Sequence, residues 1–223
     1  MLDLDFDGIK LKCFERQESR DNLGFILGEL EGGCYAHFDV TGRDVLDVGA
    51  YMGETAIWFV WNGARRVYAL EPFESYTLIE ENARLNGCDT QITPIRGGIF
   101  NIDCDIRLST FENSGGTHLL EYAERKNLTS GSEMIPMYTL ETLVRQASLE
   151  DAVLKMDCEG SEFFALPGTP RDIIRKFKYV MLEVHYFAGD PGQLYQYFIR
   201  NDFKLEVLPA GDSFAFVYAE RLD

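Results

Sequence analysis

No stretch of the 223-residue chain is apolar for long enough to cross a bilayer, so the sequence predicts no membrane span. The amino terminus, MLDLDFDGIK, lacks the basic start and apolar core of a secretory signal. Positive charge is scarce: 21 Lys and Arg stand against 37 Asp and Glu, for a net charge of −16. Arg65-Arg66 and Arg175–Lys178 are short and sit near expected helix ends, where bases complement the dipole. With no basic patch, nucleic acid is not an expected partner. The five cysteines, Cys13, Cys34, Cys88, Cys104 and Cys158, are odd in number and scattered. No Cys-x-x-Cys pair occurs, which argues against structural zinc. Free thiols in a reducing cytoplasm are the expectation. Also missing is the full G-x-G-x-x-G of dinucleotide binding, which would need glycine at Tyr51.

What is present is a globular composition, 46% hydrophobic and 26% charged, in a length suited to one domain. Its organising stretch is Val45–Pro72. An apolar run ends in Asp47, a turn carries Gly49 and Gly53, a helix is expected over Glu54–Asn62, and a second apolar run ends in Glu71-Pro72. Glycines without Cβ let the backbone turn tightly and approach a ligand. The following helix offers its free N–H groups. Glu71, at the carboxyl end of its strand, can accept hydrogen bonds from a ribose diol. Asp47 would repel a pyrophosphate but not a cation. A ribose joined to a positive charge, such as the sulfonium of S-adenosylmethionine, suits both acids.

Along the rest of the chain, strand-like and helix-like segments alternate. A hairpin is expected around Asp7-Gly8, with Leu23–Leu30 ambiguous and Tyr35–Phe38 a short helix or turn, so that residues 1–40 form a cap. A helix over Phe73–Asn86 and a strand over Gln91–Ile95 follow. Residues 99–137 break the alternation and read as an insertion or acceptor lid. It holds strands at Ile106–Phe111 and Glu133–Tyr138, a loop at Asn113–Thr117, and His118 as a weaker site candidate. Thr139 caps a helix to Ala147, and strands follow at Val153–Asp157 and Tyr179–Val184. Thr169-Pro170 and Asp190-Pro191 each open a helix. Only five residues separate Phe203–Leu208 from Phe214–Ala219, too few for a parallel crossover. The last two strands must therefore form an antiparallel hairpin on an otherwise parallel sheet.

The second informative stretch is Leu154–Glu162, LKMDCEGSE. Strand alternation would align Lys155, Asp157 and Glu159 on one face, and Glu183 with His185 on the next strand. Ligands of open α/β sheets bind at these carboxyl ends. Three roles are open. The groups could deprotonate or orient an acceptor hydroxyl, coordinate a divalent metal, or form an ion-pair network with Lys155. The first is preferred, and no metal ligand is assigned.

These motifs resemble those of the FkbM-type family of class I S-adenosylmethionine-dependent methyltransferases. The likeness covers about Val45 to Val184. It rests on Val45–Ala50 with Gly53, on Val67–Pro72, on Thr139-Leu140, and above all on Lys-x-Asp-x-Glu-Gly-x-Glu from Lys155 to Glu162. The resemblance implies an α/β, Rossmann-like, seven-stranded sheet with helices on both faces and a C-terminal antiparallel hairpin. It implies S-adenosylmethionine as cofactor, held by Asp47, Gly49, Ala50, Tyr51, Gly53, Glu54, Thr55, Glu71, Pro72 and Asp157. Asp157, Glu159, His185 and Lys155 are the candidate catalytic residues. A small-molecule or glycan hydroxyl is the expected acceptor. The chain departs from the family at Tyr51, where Asn is usual, and at Gly98, where a small residue such as Ala is common. An NAD-dependent oxidoreductase and a non-catalytic S-adenosylmethionine-binding protein are the alternatives.

Overall fold

The short apolar runs separated by amphipathic segments fold as a layered α/β structure. The computed structural model of the chain describes residues 1–6, 8–15, 33–109 and 132–223. In chain order, β1 (Leu2–Phe6) and β2 (Ile9–Cys13) form the expected hairpin, and Cys34–His37 is a single 3-10 turn. Then come β3 (Asp44–Val48), α1 (Glu54–Trp61), β4 (Arg66–Glu71), α2 (Tyr76–Leu85) and β5 (Ile92–Arg96). The insertion supplies β6 (Gly98–Ile99), β7 (Cys104–Ser109) and β8 (Ser132–Tyr138). The rest is α3 (Leu140–Ala147), β9 (Ala152–Met156), α4 (Glu162–Ala165), α5 (Arg171–Ile174), β10 (Phe177–His185), α6 (Pro191–Arg200), β11 (Phe203–Pro209) and β12 (Phe214–Arg221).

Seven strands form one sheet in the order β11-β12-β10-β9-β3-β4-β5. β9, β3, β4 and β5 run parallel, as does β10 beside β9, while β12 is antiparallel to both β10 and β11. The short terminal connection thus gives one reversed strand. β3 and β9 are buried along their whole length, as expected of central strands covered on both faces. One core packs Leu143, Ile174 and Phe198 of α3, α5 and α6 against one face of the sheet. The other packs Phe59 of α1, Ile79 of α2 and Leu11 of β2 against the opposite face. Helices therefore cover both faces. No helix among the described residues is long and apolar enough to cross a membrane.

Local chemistry sets most boundaries. Thr139 accepts a hydrogen bond from Thr142 N at 3.1 Å and starts α3; Asp190 accepts from Gly192 N at 2.9 Å and starts α6 with Pro191 in its first turn. Three boundaries differ from expectation. α2 starts at Tyr76 rather than Phe73, because Phe73 N donates to the Glu71 side chain. Thr169 does not cap α5: its hydroxyl donates to the Ala165 carbonyl at 2.7 Å, and Pro170 takes the cap position. In the insertion β7 begins at Cys104 rather than Ile106, and β8 pairs with β7 antiparallel and with β6 parallel. Asp7, Leu23–Leu30, Phe111, the loop at Asn113–Thr117 and His118 lie outside the described residues.

The N-terminal hairpin is attached through Asn86, which bonds Lys10 N and Lys10 O, and through one buried side chain. Asn82 of α2 accepts from Lys12 N at 2.7 Å and donates to the carbonyls of Lys12 and Met52 at 3.1 and 2.8 Å. Asn82→Ala would leave these backbone groups without partners in a buried place and should destabilise the fold by about 2–3 kcal/mol. Urea unfolding measures it.

Candidate active site

The carboxyl ends of β3, β4 and β9 surround an open cleft of about 390 Å³. Val48 and Gly49 form one wall, Leu70, Glu71, Pro72 and Phe73 another, and Gly97, Gly98 and Ile99 a third. Asp157, Cys158 and Glu159 close the fourth side.

The turn after β3 is shaped by close packing. Gly49 has φ 79°, and a Cβ on it would lie 1.7 Å from the Asp157 carbonyl oxygen, so no other residue fits without moving the chain. Gly49 N and Ala50 N both donate to the Leu70 carbonyl at 3.0 Å, and Asp157 N donates to Val48 O at 3.0 Å. Tyr51 adopts φ 46°. Asn tolerates this left-handed conformation better than a bulky ring does. Tyr51 N donates to Glu71 Oε2 at 3.0 Å, and Phe73 N to Glu71 Oε1 at 2.9 Å. Each Glu71 oxygen keeps acceptor capacity for a ligand. Burial pushes Glu71 up to about 7, against the lowering effect of the hydrogen bonds from Phe73, Ser75 and Tyr51.

Asp47 is placed differently from the expectation. It is wholly buried and meets its cation inside the protein: Lys155 Nζ lies 3.1 Å from Oδ1, and Thr55 Oγ1 donates to Oδ2 at 2.6 Å. The two charged residues are neighbours across the β3–β9 ladder. Lys155 Nζ also donates to the Gly49 carbonyl at 2.8 Å. Burial would lower the Lys155 ammonium, but Asp47, Asp157 and Glu54 outweigh it and hold the group above its ordinary value. Lys155, Asp47, Glu54 and Thr55 thus lie beneath the turn, and none of them lines the cleft. Lys155 instead lines a separate, smaller pocket together with Asp157 and Glu183.

The expected alignment of Lys155, Asp157 and Glu159 on one strand face does not occur. β9 ends at Met156, and Glu159 and Gly160 take φ 53° and 96°, turning the chain back on itself before α4. A left-handed glutamate is a strained conformation of the kind that gathers at functional sites. The turn brings Glu159 to the end of β10, where its Oε2 lies 3.4 Å from His185 Nε2. Glu183 Oε1 lies 3.4 Å from the same nitrogen, and Glu162 Oε1 lies 3.7 Å from Nδ1. Burial opposes protonation of His185, but Glu162, Glu183, Glu159 and Asp157 prevail and raise it to about 11. The imidazole is therefore cationic at neutral pH in this arrangement, which does not suit it to accept a proton. Burial and the charge of Asp157 push Glu183 up, and burial with Glu162 and Asp157 keeps the Cys158 thiol protonated.

Glu162 escaped assignment as a site residue although it stands in the last motif. It is fully buried and accepts from Gly160 N at 3.0 Å and His185 N at 3.3 Å. Its fixed spacing in Lys-x-Asp-x-Glu-Gly-x-Glu was the available signal. Phe73, Gly97, Ile99 and Cys158 also line the cleft without any periodicity or charge that marks them.

A mostly parallel sheet with one reversed strand and a cleft over its carboxyl ends, walled by a glycine turn and the acid Glu71, defines a methyltransferase-type Rossmann fold. Residues 47–205 match the methyltransferase FkbM domain, and the chain belongs to that family. S-adenosylmethionine is the cofactor such a family implies. Among solved structures, the chain is similar to a proposed RNA methyltransferase from Pyrococcus horikoshii, with TM-score 0.51 and 12% identity over 96% of this chain and 93% of that one. It is also similar to M. jannaschii TYW2 in complex with AdoMet, with TM-score 0.47 and 14% identity over 99% and 86% of the two chains. Among curated proteins, it is 31% identical over 125 residues to protein arginine N-methyltransferase 1 of Oryza sativa subsp. indica, covering 51% of this chain and 31% of that protein. The chain thus spans about a third of the length of the curated relatives it matches.

The buried pair beneath the turn makes a direct prediction. Lys155→Met leaves Asp47 charged and unpaired in the core, a change that ordinarily costs about 3–5 kcal/mol. Thermal unfolding should show it, and Asp47→Asn in the same chain should recover part of the loss.

Proposed function

We propose that this protein transfers the methyl group of S-adenosylmethionine to a hydroxyl of a small molecule or glycan. The observation that carries the reading is Glu71: a buried carboxylate at the tip of β4, fixed by two backbone N–H groups, with acceptor capacity left on both oxygens in the cleft. It is suited to a ribose diol. The Gly49–Gly53 turn would take the methionine end, with its cation-bearing sulfur near Asp157. The negative ends of Asp157 and Glu159 favour a sulfonium over a pyrophosphate.

Methyl transfer is an in-line displacement: the acceptor oxygen bonds the methyl carbon as the carbon–sulfur bond breaks, and the hydroxyl proton must leave. The protein supplies proximity and orientation. Asp157 or Glu159, which line the cleft, takes the proton. His185, held cationic, orients these carboxylates. A net charge of −16 disfavours nucleic acid as acceptor.

Two measurements test this. Calorimetric titration with S-adenosylhomocysteine should show binding that weakens as the pH falls through about 7, by up to tenfold per unit, and levels off above it. The sign follows because the ionised Glu71 accepts from both ribose hydroxyls and the protonated form loses an acceptor. Glu71→Gln should bind more weakly and flatten this profile; an absence of binding at any pH would defeat the reading. Asp157→Asn should keep the affinity for S-adenosylhomocysteine within about threefold and lose about 10²–10⁴ in transfer. A panel of sugars, glycosides and arginine peptides identifies the acceptor, and transfer to the peptides alone would replace the hydroxyl by a guanidinium.

A further inference from the structure

We propose that Asp157, Glu183 and His185 form a site for a divalent cation of the Mn²⁺ type, with Glu162 holding the imidazole from behind. One ligand atom from each of the three residues lies within 4.8 Å of the other two. Ligands of a single ion with bonds of about 2.1 Å stand about 4.2 Å apart when opposed and about 3 Å apart when adjacent, so binding draws the three groups together round the ion.

The imidazole provides the second observation. The His185 residue is 7% exposed, and its Nδ1 is buried without a hydrogen-bond partner. Nε2 lies 3.4 Å from both Glu183 and Glu159, and Nδ1 lies 3.7 Å from Glu162. Charge-assisted hydrogen bonds are ordinarily about 2.7–2.9 Å. The carboxylates are gathered round the ring yet stand back from it. That spacing suits an ion between Nε2 and the acids, bound in place of the Nε2 proton, which is released to solvent. Glu162 then receives Nδ1–H on the far side, the arrangement that fixes the tautomer of a metal-bound histidine. Glu162 is itself fixed by Gly160 N and His185 N. Four carboxylates share this region with one imidazole, and the nearby Lys155 is bonded to Asp47 and Gly49.

Two carboxylate oxygens and one imidazole nitrogen suit Mn²⁺ or Fe²⁺ better than Ca²⁺, and three protein ligands leave open positions. Asp157 also lines the cofactor cleft, so an open position would face it. An acceptor hydroxyl bound there would lose its proton more readily. That use rests on the function proposed above, whereas binding of the ion does not.

The test is titration of the full-length chain with Mn²⁺, followed by electron paramagnetic resonance in the absence of cofactor. One ion per chain is expected, with ¹⁴N modulation from a bound imidazole in the pulsed spectrum. His185→Gln should abolish the modulation, and Glu183→Gln should weaken binding at least tenfold. Glu162→Gln should weaken it by about 10–100-fold. The proposal is overturned if no ion is held, if the bound ion shows no nitrogen, or if the modulation survives in His185→Gln. The wild-type spectrum needs no variant to fold. Parallel titration with S-adenosylhomocysteine separates the two readings: its failure with Mn²⁺ retained strikes the cofactor reading alone.

Discussion

The pairing of Asp47 with Lys155 is the constraint on which the rest of the site depends. Both side chains are removed from water, and neither charge could stay there without the other. Their partnership joins the two central strands of the sheet at the level where those strands end. The lysine also holds the carbonyl of Gly49, so the ion pair fixes the height and direction of the glycine turn. Thr55 completes the arrangement from the first turn of the next helix. A polar network in a core of valine, leucine and isoleucine strands gives a single register to a turn that apolar packing alone would leave free to slide.

Above that foundation the tops of the strands divide into two chemical regions. Over β4 there is one carboxylate, Glu71, held by N–H donors from both the preceding turn and its own strand end. Over β9 and β10 there is an acid-rich region centred on an imidazole. The cleft lies between them and belongs to both, because Asp157 and Glu159 close the side opposite Glu71. The first region is suited to a neutral diol and the second to positive charge. A sulfonium nucleoside presents both, which is why a single cleft with carboxylates on two sides makes physical sense in a chain otherwise short of binding groups.

Much of the fold was legible because it is governed by local rules. Helix caps at Thr139 and Asp190, the apolar strand cores and the five-residue hairpin connection all appear in the sequence as they act in the structure. The roles of the acids were less legible. Asp47 sits at a strand tip in sequence terms, and nothing local announces that Lys155, more than a hundred residues away, stands beside it on the neighbouring strand. Alternation predicted a common face for Asp157 and Glu159, but alternation ends where the strand ends. Two left-handed residues, one of them not glycine, then send Glu159 across to β10. Phe73 became a cleft wall by clustering with Ile135 and Met137 of β8, and Ile99 through the pairing of β6 with β8, contacts which no short window of sequence records.

Gly49 and Asp157 touch through their backbones, with no room for even a methyl group between them. The segment suited to the cofactor and the segment carrying the acid are therefore one mechanical body, fastened further by the bond from Asp157 N to Val48 O. Displacement of either moves the other. A cofactor and an acceptor bound on the two sides of such a contact would be coupled reciprocally: whatever factor the first contributed to the affinity of the second, the second would return to the first.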